Sequence, residues 1–134
     1  MGASGKLKAV NDHLIDELLK DINYKVTSDG KIFTKLTLNG QGISDDWREM
    51  GYQKPDGYIR IRYKDNFLFC DRVIYQNTHG DLKSDMVINH IDLDNTNNHP
   101  KNLEQLTQHE NNKKKHKKYK KSFLRKVIAK LRGY

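Results

Sequence analysis

The sequence predicts an α+β protein, and three observations carry that expectation. Apolar residues recur at helical spacing over residues 7–22, and runs rich in β-branched and aromatic residues are then punctuated by Asp-Gly and Asn-Gly turns. Near the C-terminal third, two short apolar runs flank a polar loop and lead into a helix start. The chain of 134 residues suits one modest domain with appendages, because 35% is apolar and 31% is charged.

Taken in order, Leu7, Val10, Leu14, Ile15, Leu18, Leu19 and Ile22 form one stripe, opposed by Asp12, Asp16, Glu17 and Lys20. That is an amphipathic helix. The opening Met-Gly-Ala-Ser-Gly resembles an appended leader or loose terminus. A hairpin follows, with residues 24–27 and 31–38 as strands around Ser28-Asp29-Gly30 and with Asn39-Gly40 closing the second strand. Residues 41–57 read as irregular, anchored by Trp47 and Met50, with Trp47 expected in the core rather than stacking on a base. Pro55-Asp56-Gly57 is a turn. Residues 58–63 alternate as a strand, turn at Lys64-Asp65-Asn66 and return through 67–75, ending in a strand or short helix near Val73. Arg60 and Arg62 share one face of the first of these strands. Cys70 reads as a small apolar residue of the sheet.

Residues 78–86 are loop. Val87-Ile-Asn-His-Ile-Asp is a short buried strand, and it opens onto the polar stretch 93–102. Leu103-Glu-Gln-Leu-Thr is a second strand. Thr107 then caps a helix with Glu110 at the third helical position, a capping box. Asp92, Asp94, Asn97 and Asn98 read as Asx-turn architecture. His79, His99, His109 and His116 read as surface histidines. Four segments result: an N-terminal helix (1–23), a β-hairpin accessory module (24–77), a strand–loop–strand–helix unit (78–118) and a basic amphipathic helix (119–134) carrying Phe123, Leu124, Val127, Ile128 and Leu131.

Charge is divided unevenly. Residues 113–134 hold nine Lys and two Arg with no acid, so the first 112 residues carry 14 basic and 17 acidic side chains, a net −3. Such a cationic block commonly binds nucleic acid by releasing counterions from phosphates; a solvated tail is the alternative. No apolar run approaches the ~18 residues of a membrane span, and the lone Cys70 excludes an internal disulfide framework and a Cys-rich zinc site. The first excludes a membrane protein, and the second fits a reducing, cytosol-like compartment.

Residues 87–112 read VINHIDLDNTNNHPKNLEQLTQHENN. With Asn89-His90-Ile91-Asp92, Asn97-Asn98, Pro100, Asn102-Leu103, Thr107 and Glu110-Asn111 at their spacing, the stretch resembles the HNH endonucleases of the ββα-metal superfamily, in the phage-encoded and homing branch. Upstream, Val26-Thr-Ser-Asp-Gly30 and Gly57-Tyr-Ile-Arg-Ile61 are similar to the module that often precedes this motif. The resemblance implies a double-stranded DNA endonuclease acting in a host cytoplasm and leaving 5′-phosphate and 3′-hydroxyl ends. It makes His90 the general base and Asn102 the residue that orients its ring and holds the loop. Asn89 and Asn111 become oxygen ligands to one Mg²⁺ or Mn²⁺, and Arg72 the holder of the scissile phosphate. The residue types suit that chemistry, because phosphodiester hydrolysis needs a base near neutrality and a divalent cation against developing charge. Many relatives carry Asp or His at the position of Asn89, and often His before the Arg where this chain has Asp71. Those departures favour a rival of another class, a nucleic-acid-binding module on the same scaffold; a packaging-associated nuclease subunit is a third reading. Lys113, Lys114, Lys115, Lys117 and Lys118 are expected on backbone phosphates, and Arg60, Arg62 and Lys64 near base edges.

Overall fold

The computed structural model describes residues 11–39 and 41–114, so the apolar stripe at 123–131, Lys115, His116, Lys117, Lys118, Gly40 and the first ten residues lie outside the described residues. Helix α1 spans Asp12–Leu19 and buries Leu14, Ile15 and Leu18. It ends before the stripe does. Lys20 and Asp21 donate to the carbonyls of Glu17 and Leu18, closing the helix three residues back, and Ile22 beyond the stop is 87% exposed.

Strands β1 (Tyr24–Val26) and β2 (Ile32–Leu36) form the expected hairpin, in register Tyr24 with Thr34 and Val26 with Ile32. The stretch read as irregular is instead β3 (Ile43–Glu49) followed by β4 (Tyr52–Gln53). β3 pairs antiparallel with β2 across a bulge between Thr34 and Leu36. Its sequence hides it: no residue of ISDDWRE is buried, so no alternation marks an inner face. Trp47 is likewise not in the core. It lies half-buried, with Lys25 Nζ 4.7 Å and Lys35 Nζ 5.1 Å from its ring centre. Cations on that face keep the indole at the surface.

A second antiparallel sheet has the order β4–β5–β6, with β5 at Ile59–Tyr63 and β6 at Asn66–Phe69. The Lys64-Asp65 turn between them takes φ +47° and +63°, the paired left-handed geometry of a two-residue hairpin loop. The chain then enters helix α2 (Cys70–His79), which Gly80 ends at φ +77°. Cys70 is therefore the first helical residue rather than a sheet residue. It is buried, and burial pushes its thiol well above the ordinary range.

Strands β7 (Val87–His90) and β8 (Leu103–Leu106) pair antiparallel, Asn89 opposite Glu104 and His90 opposite Leu103. A 3₁₀ turn at Pro100–Asn102 feeds β8. Helix α3 follows, described over 108–114. Its capping box is complete: Glu110 N–H donates to Thr107 Oγ1 at 3.2 Å, and Thr107 N–H donates to Glu110 Oε1 at 3.1 Å. One core cluster joins the layers, with Leu14, Ile15 and Leu18 of α1 packed among Ile32, Ile61, Tyr63, Val73, Ile74, Ile88 and Leu103.

Candidate active site

β7 is buried at all four positions, so its two polar residues are carried into the protein: Asn89 is 1% and His90 2% exposed. Burying such groups costs free energy unless each is satisfied or kept for a ligand. Asn89 Nδ2 donates to Glu104 Oε2 at 3.0 Å across the ladder, and Lys114 Nζ reaches Glu104 Oε1 at 2.5 Å. The amide is thereby oriented, with its oxygen directed away from Glu104. That oxygen, Asn89 Oδ1, has no hydrogen-bond partner among the described residues, and neither has His90 Nδ1 or Asn111 Oδ1. Asn111 is buried on α3, where the capping box starts the helix and the Asn111 amide N–H donates to the Thr107 carbonyl at 2.9 Å.

The other face of His90 is occupied. Asn98 Oδ1 lies 2.8 Å from Nε2. An amide oxygen accepts, so Nε2 carries the ring proton and Nδ1 keeps its lone pair. The Asp71 carboxylate, also buried, sits 3.9 Å from the same Nε2. The Tyr58 ring meets the imidazole edge-on, with centres 5.9 Å apart.

The loop between β7 and β8 is self-bonded. Asp92 accepts from Asn97 Nδ2, Asn102 Nδ2 and the amide of Asp94 at 2.8, 2.9 and 2.9 Å. Asp94 accepts from the amide of Thr96 at 3.0 Å and from its hydroxyl at 2.6 Å. These donors hold both carboxyls below the usual carboxylate range, the Asn97 amide leading for Asp92 and Thr96 for Asp94. The Asx-turn expectation for Asp92, Asp94 and Asn97 matches this geometry.

Three expectations change. Asn102 holds the loop, through Asp92 and the Asn97 carbonyl, but it makes no hydrogen bond to His90. The ring is held by Asn98, a residue that reads in the sequence as loop architecture. The signal available is the doubled Asn97-Asn98: one amide serves the turn, and its neighbour is turned inward. Arg72 is the third change. It is 2% exposed, and its guanidinium is spent on Asp12 (3.0 and 2.6 Å) and on the carbonyls of Met86 (2.9 Å) and Lys83 (3.1 Å). So buried and so committed, it is closed to a phosphate.

Arg60 and Arg62 lie on the outer face of β5, as the alternation required. Arg60 is paired bidentately to Asp56 at 3.2 and 2.7 Å and stacked on Phe69, and Arg62 is paired to Asp65 at 2.9 Å. Lys64 is bonded to Glu17. Tyr58 bridges Phe69 on this face to His90, both ring contacts at 5.9 Å. Lys113 and Lys114 are exposed on α3.

Among protein families, residues 69–113 match the HNH endonucleases, from the end of β6 into α3. The HNH segment thus covers α2, the β7–β8 hairpin and the start of α3. A solved structure described as "DNA binding and cleavage by the HNH homing endonuclease I-HmuI" superimposes with a TM-score of 0.56 at 20% identity. The match covers 84% of this chain and 63% of that one, and it shows a shared fold. None of the curated proteins compared is a match. Among the described residues no three His, Cys, Asp or Glu side chains gather to hold a metal. No helix of the described residues is long and apolar enough to cross a membrane.

Proposed function

We propose that the chain is a divalent-metal-dependent endonuclease of double-stranded DNA with His90 as its general base. One observation carries the reading: Asn89 Oδ1, His90 Nδ1 and Asn111 Oδ1 are buried on the HNH segment and lack partners among the described residues. An unsatisfied buried polar atom costs about 1–3 kcal/mol, so three in one motif point to a ligand. Two neutral oxygens as the protein's donors suit Mg²⁺ or Mn²⁺, which complete their shells with water and phosphate, better than Zn²⁺.

His90 takes the proton. With Nε2–H held by Asn98 and the Asp71 carboxylate 3.9 Å from the same nitrogen, Nδ1 is the nitrogen that accepts from a water. Asn89 and Asn111 would hold the ion, which supplies charge neutralisation on the phosphate and the leaving oxygen when bound. Glu104, itself pinned by Lys114, orients the Asn89 amide for that purpose. Asn102 keeps the loop ends together.

DNA contact is assigned to the basic block from Lys113 through Lys114, Lys115, Lys117 and Lys118 and to the outer face of β5, with Arg60 and Arg62. Phe69 and Tyr58 connect that face to His90. The Asp56 and Asp65 partners must be displaced or shared for the two arginines to reach DNA, so the lysines supply most of the attraction. From the resemblance we infer action in a host cytoplasm, in a phage-encoded or homing role. Conversion of supercoiled plasmid to nicked or linear product, with and without chelator, tests this. Metal-dependent conversion supports it; metal-independent retention of plasmid without cutting favours the binding-module reading, for which the neutral Asn89 is the argument.

A further inference from the structure

Two glycine turns of the N-terminal sheets face the same loop of the HNH segment. Gly30, in the turn between β1 and β2, has φ +92°; a Cβ built there would lie 2.2 Å from the Asn98 carbonyl oxygen, 2.6 Å from its carbon and 2.9 Å from the His99 nitrogen. All three are backbone atoms, so no side chain can move aside. Gly57, in the turn before β5, has φ +88°, and its Cβ would lie 3.4 Å from the Asn95 side-chain amide. The residue after it, Tyr58, sets its ring against His90. Both turns are hydrogen-bonded units. Thr27 and Lys31 exchange bonds across the first, Lys31 N–H donating to Thr27 Oγ1 at 3.0 Å and Thr27 N–H to the Lys31 carbonyl at 2.8 Å. Gly57 N–H donates to the Lys54 carbonyl at 2.8 Å in the second.

We propose that the turn at 27–31, through Gly30, is a positioning element for His90: it seats the 98–99 peptide so that Asn98 Oδ1 holds the imidazole Nε2–H. The turn at Gly57 packs against the same loop at Asn95. A glycine is needed at position 30 for two reasons at once, a left-handed backbone and contact closer than any Cβ permits. Residues 26–30 and 57–61 thereby have a task that DNA contact does not require: they brace the catalytic loop from within the chain. The proposal rests on His90 as the base for its kinetic arm, but its tautomer arm does not depend on any cutting.

The test uses the full chain with ¹⁵N-labelled histidine at alkaline pH, where the neutral ring reports its tautomer through the two nitrogen shifts. Gly30→Ala is compared with Gly80→Ala, because Gly80 has φ +77° and nothing within 4 Å of its Cβ site. Both substitutions strain the backbone; one also pushes the loop. In the parent chain His90 should show protonated Nε2 and bare Nδ1. Gly30→Ala should mix the tautomers and lower kcat roughly 10- to 100-fold at unchanged DNA affinity, the scale expected when a reacting group moves by about an ångström. Gly80→Ala should do neither. Equal behaviour of the two variants, whether both shift the His90 signals or both leave them alone, overturns the proposal. If Gly30→Ala does not fold, Thr27→Val, which removes the exposed hydroxyl bonded to Lys31, decides: a smaller shift of the same sign supports the brace, and unaltered His90 signals contradict it. A parent chain that cuts no DNA refutes the nuclease reading while leaving the tautomer comparison intact.

Discussion

Arg72 and Asp12, sixty residues apart in sequence, form a two-pronged ion pair at 3.0 and 2.6 Å that ties α2 to α1. The arginine is 3% exposed at its side chain and the aspartate 17%, so the pair sits at the edge of the core rather than in water. Removing one member leaves the other charge desolvated and uncompensated, which typically costs about 3–5 kcal/mol. Asp12→Ala should therefore lower unfolding free energy by about 3 kcal/mol in urea titration, the low end of that range because Asp12 is partly solvated. Below its melting transition the variant should keep the cleavage rate of the parent. A specific loss of cleavage at full folding would return Arg72 to the phosphate.

Asn89→Asp has opposite effects on metal binding and on the metal-free fold. An anionic oxygen binds a dication more tightly than an amide does, so calorimetric titration with Mg²⁺ or Mn²⁺ should show higher affinity. Yet Asn89 Nδ2 now donates to Glu104 Oε2 at 3.0 Å, and a carboxylate there would face another carboxylate. The metal-free variant should melt lower than the parent, and added metal should raise its melting point more than it raises the parent's. Asn111→Ala should weaken metal binding without that melting penalty. Unchanged affinity in both variants would move the ion elsewhere.

Acid should loosen the β7–β8 loop. The Asp92 carboxyl accepts three hydrogen bonds and titrates below its ordinary value of 3.8, led by the bond from Asn97. A depressed carboxyl contributes stability that is present above the unfolded value and lost as pH falls through the lower folded one. Asp92→Asn cannot titrate, so its unfolding midpoint should fall less steeply with acidification below about pH 4 than the parent's. Parallel profiles would mean that Asp92 is not coupled to folding.

Salt dependence separates the lysines. Lys114 is engaged with Glu104, whereas Lys113 is exposed on the same helix. Each neutralised phosphate adds about 0.9 to the slope of log K against log salt, so changing Lys113, Lys115, Lys117 and Lys118 to Gln should reduce it by roughly 3 to 4. Lys114→Gln should act mainly through Asn89, on metal affinity. Filter binding over a salt series measures the first, calorimetry the second.

The parts legible in the sequence are those with local rules. The capping box at Thr107 and Glu110, the Asp92–Asp94 turns and the left-handed Lys64-Asp65 hairpin loop are each set by neighbours a few residues away. His90, Asn89 and Asn111 stand out because a motif holds them at fixed spacing. What stays hidden depends on partners far along the chain or on faces with no pattern. Arg72 cannot be paired with Asp12 from spacing alone. Strand β3 buries neither face and so shows no period of two. Asn98 looks like any polar loop residue until β7 is seen to carry His90 inward beside it. The glycine at position 30 reads as a hairpin turn, which it is, and nothing local announces the Asn98 carbonyl against its Cα.

The proposed chemistry stands on His90 as the base, acting through the lone pair on Nδ1. Its sharpest test is single-turnover cleavage of supercoiled plasmid by the parent and by His90→Ala, at matched DNA occupancy and saturating Mg²⁺ or Mn²⁺. The cleavage step should fall by at least about 10²–10⁴-fold, with DNA affinity and melting temperature nearly unchanged. Cleavage at the parent's rate by the folded, DNA-bound variant would contradict it.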